Sequence, residues 1–456
     1  MNQNLILGAK DKPKGGKWLL LSFQHVFAMF GATVLVPLLT GLPVSVALFS
    51  SGVGTLIYIL CTEQKVPIYL GSSFAYISYI IAASALAGGT FGAAMTGLVL
   101  VGVIYCIVSL FIKLLGVGWI NRLLPPIIVG PMIMVIGLSL SGTAITETGL
   151  LAPTAANLAS NPWAGDYRSM ITAFFTMGLI AYIAIKAKGF LKVVPFLVGI
   201  IGGYIFAVLI GFIPNGNYPA LVDFSSVLAV LKDPSQWFSL PKFILLGWKD
   251  ADLGLGISMA KVNFSAAISV IPLAFVTICE HIGDHKVLGK ITGEDYITNP
   301  GLNKTLLGDG LATSFAGLIG GPANTSYGEN TSVVGITKVG SVWVTGGAAV
   351  IAIILSFVNV FSTLINTIPL AVLGGVCLIL YGFIAANGLK TIVDAKVDLT
   401  QTRNLIIVSV MLVIGIGGAV ISFGSFNFSG MALSAIVGIL LNTLLPKEKE
   451  LEEIKL

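Results

Sequence analysis

The 456-residue chain is 56% hydrophobic and only 10% charged, with a formal net charge of +5 and a mean hydropathy of +0.96. A water-soluble domain carries about 25% charged residues, so this chain cannot present a wetted surface all round, and no nucleic-acid partner is expected. The length accommodates about a dozen membrane spans of ~20 residues with their loops.

Residues 1–16 are polar and lysine-rich rather than a basic stub followed by an apolar core, so no cleavable signal peptide is expected. Apolar runs of spanning length follow at 17–40, 43–62, 67–87, 92–116, 120–142, 169–186 and 190–213. The stretch 214–262 is more polar, holds Trp237 and Trp248, and reads as an extracytoplasmic connection with an interfacial helix. Further runs lie at 263–287, 304–320, 322–338, 341–360, 362–386, 403–424 and 428–446. The fold read from these runs is an all-α polytopic membrane protein of fourteen transmembrane segments in two halves, 1–213 and 263–456. Seven spans per half invert the second half relative to the first. The third, ninth and tenth runs are too short or too glycine-rich to be ordinary spanning helices.

Charge gives an independent check, because cytoplasmic loops retain Lys and Arg. With both termini cytoplasmic, 20 of the basic residues fall on inside segments, among them Lys10, Lys65, Arg122, Lys188, Lys304, Lys338, Arg403 and the C-terminal Lys447, Lys449 and Lys455. Only Arg168, Lys232, Lys242, Lys249 and Lys261 fall outside, four of them in the long connection. The four cysteines, Cys61, Cys106, Cys279 and Cys377, are scattered and show neither a disulfide framework nor metal-ligand spacing.

Local similarities recur at a nearly constant offset. Gln24-His25 matches Glu280-His281, 256 residues later; Pro67, which opens PIYLGSSF, matches Pro322, which opens PANTSYGE, 255 residues later. Leu124-Pro125 pairs more loosely with Ile368-Pro369 at an offset of 244. Interrupted segments at corresponding positions of two inverted repeats point to a midplane binding site. The small and hydroxylated residues after Pro67 and Pro322 suit a short extended stretch leading into a half-helix. Its free N–H groups would face a polar solute; close packing of ordinary glycine-bearing helices is the alternative.

Ionisable residues inside apolar runs are functional candidates, since each costs about 3 kcal/mol at mid-bilayer. Glu329 is the clearest, with no other charge between Asp309 and Lys338. Glu280 follows an apolar run and precedes His281, Asp284 and His285. It either marks a helix end or, as the match with Gln24 argues, lies within the membrane. His281 and His285 share a helix face and are compatible with a zinc ion, but no third ligand is signalled. Neither metal nor cofactor is expected. A carboxyl in low dielectric favours its protonated form, which suits a group that gains and loses a proton during transport. His25 reads as a core histidine bonded between helices, and Asp309 as a cap or pairing partner.

At these residues the chain resembles the nucleobase–ascorbate transporter family, and within it the uracil-carrying bacterial branch. The likeness runs over nearly the whole chain and is densest in QHVFAMFGAT (24–33), YLGSSFA (69–75), EHIG (280–283) and NTSYGEN (324–330). The resemblance implies a core domain of segments 1–4 and 8–11 and a gate domain of segments 5–7 and 12–14. Segments 3 and 10 would each contain a short β-strand, with substrate between them. It further implies that Glu280 and Glu329 accept hydrogen bonds from a nucleobase, that the N–H groups of Phe74 and Gly328 donate to it, and that Ser73 and Tyr327 shape the pocket. Tyr381 would face the site from the gate. Glu280, His281, Asp284 and His285 are the candidates for proton coupling, while Gln24, His25 and Asn330 lie near the site. The implied protein is a proton-driven uracil importer of the bacterial inner membrane, dimeric through its gate domains. The chain departs from the family where Asp284 stands in place of a histidine and Ser332 in place of a glycine; either Asp284 or the adjacent His285 serves the relay.

A purine carrier for xanthine or urate, and a proton-independent facilitator, are the nearest alternatives. An anion carrier is opposed by two acidic groups at the site. A membrane-embedded enzyme lacks its usual HExxH or GxSxG signatures.

Overall fold

In hydrocarbon, every backbone N–H and C=O must find a partner inside the protein, which leaves helices as the default for so apolar a chain. A computed structural model describes residues 5–446 apart from 217, 265–266 and 424–425. Lys447, Lys449 and Lys455, used in the charge reading, lie outside the described residues. The first half contains α1 (Gly15–Thr40), α2 (Val44–Cys61), strand β1 (Leu70–Ser72), α3 (Ile77–Leu86) and α4 (Gly92–Leu115). It continues with α5 (Gly118–Leu123), α6 (Pro126–Ser139), α7 (Ser141–Thr148), α8 (Ala155–Ser160), α9 (Tyr167–Lys186) and α10 (Pro195–Gly211). The connection holds α11 (Ser225–Lys232), β2 (Ile244–Gly247), β3 (Ala251–Gly254) and β4 (Ile257–Lys261). Then come α12 (Ile271–Thr292), α13 (Leu302–Ile319), β5 (Asn324–Ser326), α14 (Gly328–Thr337) and α15 (Val342–Ser356). The chain closes with α16 (Asn359–Ile365), α17 (Leu370–Asp394), α18 (Thr402–Ile416), β6 (Val420–Phe423), β7 (Phe426–Ser429) and α19 (Gly430–Leu444).

Among the described residues, seven helical stretches are long and apolar enough to cross a membrane, and five shorter apolar helices accompany them. Their outward faces are apolar too: Val103, Ile107, Leu110 and Leu114 form an exposed stripe on α4, with Leu114 67% exposed. A soluble protein rarely leaves so much apolar surface in contact with water. The molecule is a mostly helical, multi-pass membrane protein.

Small residues set the packing. The glycine-rich α13 sits between α2 and α4. A methyl placed on Gly310 would lie 2.8 Å from the Gly102 carbonyl, and one on Gly308 would lie 2.7 Å from the Tyr58 ring. Helices α6 and α17, entered at Pro125 and Pro369, meet in the same way: a Cβ on Gly388 would be 2.5 Å from the Gly130 carbonyl. The connection departs from the sequence reading. Beside α11 it folds into a three-stranded sheet, in the order β2-β4-β3, which hydropathy does not signal. Strand β2 rests on the end of α13, where a Cβ on Gly320 would lie 2.7 Å from that of Ile244.

Gly310→Leu forces α4 and α13 apart. It should destabilise the protein by about 1–3 kcal/mol, read as a lower melting midpoint in detergent; an unchanged midpoint would mean that the two helices tolerate wider spacing.

Candidate solute-binding site

The two stretches singled out after Pro67 and Pro322 meet. Strand β1 pairs antiparallel with β5, Leu70 opposite Ser326, Gly71 opposite Thr325 and Ser72 opposite Asn324. The Ser73 N–H extends the ladder to the Ala323 carbonyl at 2.9 Å. Hydroxyls from neighbouring helices take up the outer edges. Ser51 Oγ donates to the Leu70 carbonyl at 2.9 Å, Thr55 Oγ1 accepts from the Leu70 N–H at 3.0 Å, and Thr313 Oγ1 donates to the Asn324 carbonyl at 2.6 Å. Gly71 has no side chain because the Tyr327 ring lies against it, 3.1 Å from where a Cβ would sit.

Each strand feeds a helix start. After β1, a 3-10 turn at Phe74–Tyr76 runs into α3; after β5, Gly328 opens α14. First-turn N–H groups have no partner within their own helix, so Phe74 and Gly328 each present backbone donors beside the strand pair. Glu329 follows on α14 and lines a small cavity with Phe74, Tyr327, Phe27 and Gly31 of α1, and Val193, Val194, Phe196 and Leu197 around the start of α10.

Glu280 and Asp284 lie one turn apart on α12, the first exposed and the second half-buried. Asp284 Oδ1 is 3.6 Å from the position of a Cβ on Gly328. The carboxyls of Glu280, Asp284 and Glu329 are close enough to feel one another's charge. Among the described residues, no ion pair joins any of them to a lysine or arginine.

The histidines turn inward, away from this group. His281 is buried, with Nδ1 2.8 Å from Asp309 Oδ2 and Nε2 2.9 Å from Thr305 Oγ1, which itself donates to the Leu302 carbonyl. Asp309 also accepts the Ser326 N–H at 3.0 Å and so anchors β5. His285 Nδ1 donates to the His281 carbonyl at 2.7 Å, which leaves Nε2 to accept from the Tyr58 hydroxyl at 2.5 Å. Asp309 is thus a pairing partner, as its position suggested. Tyr58, Thr305 and Ser326 complete the network without any signal in the sequence beyond the shared face of the two histidines.

His25 is buried, and Asn330 Nδ2 donates to its Nδ1 at 3.1 Å, joining α1 to α14. Gln24 is half-buried one residue before it. Ser73 is buried with its N–H committed to the ladder. Tyr381 lies outside the small cavity, buried in an apolar cluster that also packs against Phe74. No group of three or more acidic, histidine or cysteine side chains that could hold a metal occurs among the described residues.

Two backbone breaks, one in each half, that pair with one another beside carboxyls inside an apolar helical body are the architecture of a membrane transporter rather than an enzyme. Residues 16–422 match the model of the Permease family (Xan_ur_permease), and the chain belongs to that family. It is 46% identical over 446 residues to the uracil permease of Bacillus subtilis (strain 168), covering 97% of this chain and 96% of that one. It is 47% identical over 451 residues to the uracil permease of Bacillus caldolyticus, covering 98% and 96%. With the uracil permease of Escherichia coli (strain K12) the identity is 36% over 453 residues, covering 98% and 97%. The fold is similar to that of the transmembrane domain of the cyanobacterial bicarbonate transporter BicA, with a TM-score of 0.59 at 15% identity and coverage of 94% and 97%. It is also similar to that of murine Slc26a9 in its inward-facing state, with a TM-score of 0.62 at 15% identity and coverage of 95% and 69%.

Asp309→Ala leaves His281 buried without its acidic partner and the Ser326 N–H unsatisfied. A loss of about 3–5 kcal/mol is expected, measured as a lower melting midpoint in detergent. Wild-type stability would show that the pair is dispensable.

Proposed function

We propose that this permease imports uracil together with protons by alternating access. The observation that supports the reading is the strand pair β1–β5, beside which α3 and α14 begin and Glu329 lines a small cavity. Uracil has two N–H donors and two carbonyl acceptors on a flat ring. Glu280 and Glu329 accept from its N–H groups, and the N–H groups of Phe74 and Gly328 donate to its carbonyls. Ser73 and Tyr327 shape the pocket, Tyr381 faces it from the gate, and Gln24, His25 and Asn330 support it. The full-length likeness to proteins named uracil permeases favours uracil over xanthine or urate.

Proton coupling follows from charge. Three neighbouring carboxyls, none in an ion pair with a lysine or arginine among the described residues, repel one another when charged, and sharing protons relieves the repulsion. Because the nitrogens of His281 and His285 are spent on buried partners, Asp284 is the relay group beside Glu280.

The transport cycle uses fourteen spans in a seven-plus-seven inverted repeat. The core (segments 1–4 and 8–11) moves against the gate (segments 5–7 and 12–14), as broken helices in inverted repeats favour. The protein lies in the bacterial inner membrane with both termini cytoplasmic, and it dimerises through its gate domains.

Uptake of radiolabelled uracil into proteoliposomes, with and without an inward proton gradient and with xanthine as competitor, tests the reading. Gradient-stimulated uptake insensitive to xanthine is expected. Uptake of xanthine alone would replace the substrate, and indifference to the gradient would remove the symport. Glu329→Gln loses one charge-assisted hydrogen bond worth about 1.5–3 kcal/mol and should weaken uracil binding by roughly 10- to 100-fold; retained affinity would remove Glu329 from the site. Asp284→Asn should chiefly alter the pH dependence of uptake, and a profile superimposable on wild type would exclude it from the relay.

A further inference from the structure

The transport reading leaves one buried acid unused. Glu147 lies in the last turn of α7, only 8% exposed, and its Oε2 has no hydrogen-bond partner among the described residues. Helix α17 presses on it closely: a Cβ on Gly374 would lie 2.7 Å from the Glu147 carbonyl carbon. The groups that face its carboxyl come from α17, where Cys377 interacts with both Glu147 and Tyr381. Cys377 and Tyr381 are four residues apart and share a helix face. Among the described residues the Tyr381 hydroxyl has no oxygen or nitrogen partner, and the Cys377 thiol is the polar group beside it.

Among the described residues no cation pairs with Glu147. Helix α6 carries no titratable side chain. The cation on α9 near this end, Arg168, is committed to Asp166 at 2.8 Å and to the carbonyls of Ile213 and Pro219. Asn161 Nδ2 donates to the backbone carbonyls of Thr146 and Glu147, not to the carboxyl. A buried carboxylate with no cation and an unsatisfied oxygen is among the costliest arrangements a protein can hold. The neutral acid is the form that fits this conformation, and an isosteric Gln would serve equally well if packing were its whole purpose.

We propose that Glu147 is a second proton-binding site of the transporter, on the gate side, linked through Cys377 to Tyr381 and so to the solute site. The site rests on the proton-coupled reading above. In this conformation α17 seals the carboxyl off, and it carries its proton. When the gate helices shift relative to one another, water or a donor reaches Oε2 and the proton leaves. A proton bound here adds to the one handled by Glu280 and Asp284, and it couples the position of α17 to the gradient without touching uracil.

The test separates coupling from folding and from binding. Full-length wild type, Glu147→Gln and Glu147→Asp are reconstituted in proteoliposomes and assayed for equilibrium uracil binding, uracil counterflow and gradient-driven accumulation across a pH series. Glu147→Gln should bind uracil within about twofold of wild type and retain counterflow, while losing gradient-driven accumulation about tenfold or more, the pattern of a lost proton-transfer group. Glu147→Asp should retain accumulation with a displaced pH profile. Accumulation and pH profile unchanged in Glu147→Gln overturn the proposal, as does a parallel loss of counterflow and accumulation, which marks a structural role. Should Glu147→Gln not fold, Glu147→Asp decides: a displaced profile supports the site, and a superimposable one overturns it. Wild-type uptake that ignores the gradient overturns the symport reading and this site with it.

Discussion

Unpaired backbone in a hydrocarbon setting is the constraint on which the rest of this structure depends. The chain leaves helix after Cys61 and again after Ile319, and each break exposes N–H and C=O groups that lipid cannot satisfy. Pairing the breaks with one another solves half of the problem, since β1 and β5 exchange ladder bonds. The remaining edge groups are met by Ser51, Thr55 and Thr313, which is why α2 and α13 carry hydroxyls on otherwise apolar faces. What stays unpaired is the first turn of each half-helix, and that is where a polar solute can be held.

The same constraint orders the acidic groups. Asp309 is tied to Ser326 and His281, so it fixes β5 relative to α12 and has little capacity left for a solute. His285 is fixed by its own turn and by Tyr58. Among the described residues, Glu280, Asp284 and Glu329 have no such side-chain partner, and they lie close enough to feel one another's charge. The polar interior is therefore divided between a buried histidine–aspartate network that holds the break open and an accessible carboxyl group set that faces it.

Much of this was legible in the sequence because it is written locally. Proline followed by small residues, repeated 255 positions apart, signals the breaks; a lone acid in an apolar run singles out Glu329, and the match with Gln24 singles out Glu280. The partners of His281 and His285 were not legible, because Tyr58 and Thr305 are ordinary residues brought there only by the packing of α2 and α13 on α12. Glu147 was missed for a different reason. Ser139, Ser141, Thr143 and Thr146 lower the hydropathy after residue 138, so the fifth apolar run ends at 142 by hydropathy alone. The helix in fact restarts at Ser141 and continues to Thr148. The sheet at 244–261 escaped because its strands are only four or five residues long and sit in a polar connection.

Fold and site make separate statements about the solute. The likeness to BicA and Slc26a9, at 15% identity, concerns the backbone arrangement alone, and one arrangement can serve opposite charges. Two facing helix N-termini by themselves favour an anion. Here three carboxyls stand beside them, none in an ion pair with a lysine or arginine among the described residues, which disfavours an anion. A neutral solute that donates as well as accepts uses both sets: its carbonyls meet the backbone N–H groups and its N–H groups meet the carboxyls. On the proposed reading, the acids around the break, more than the break itself, are what disfavour an anion and suit a planar amide-like ring.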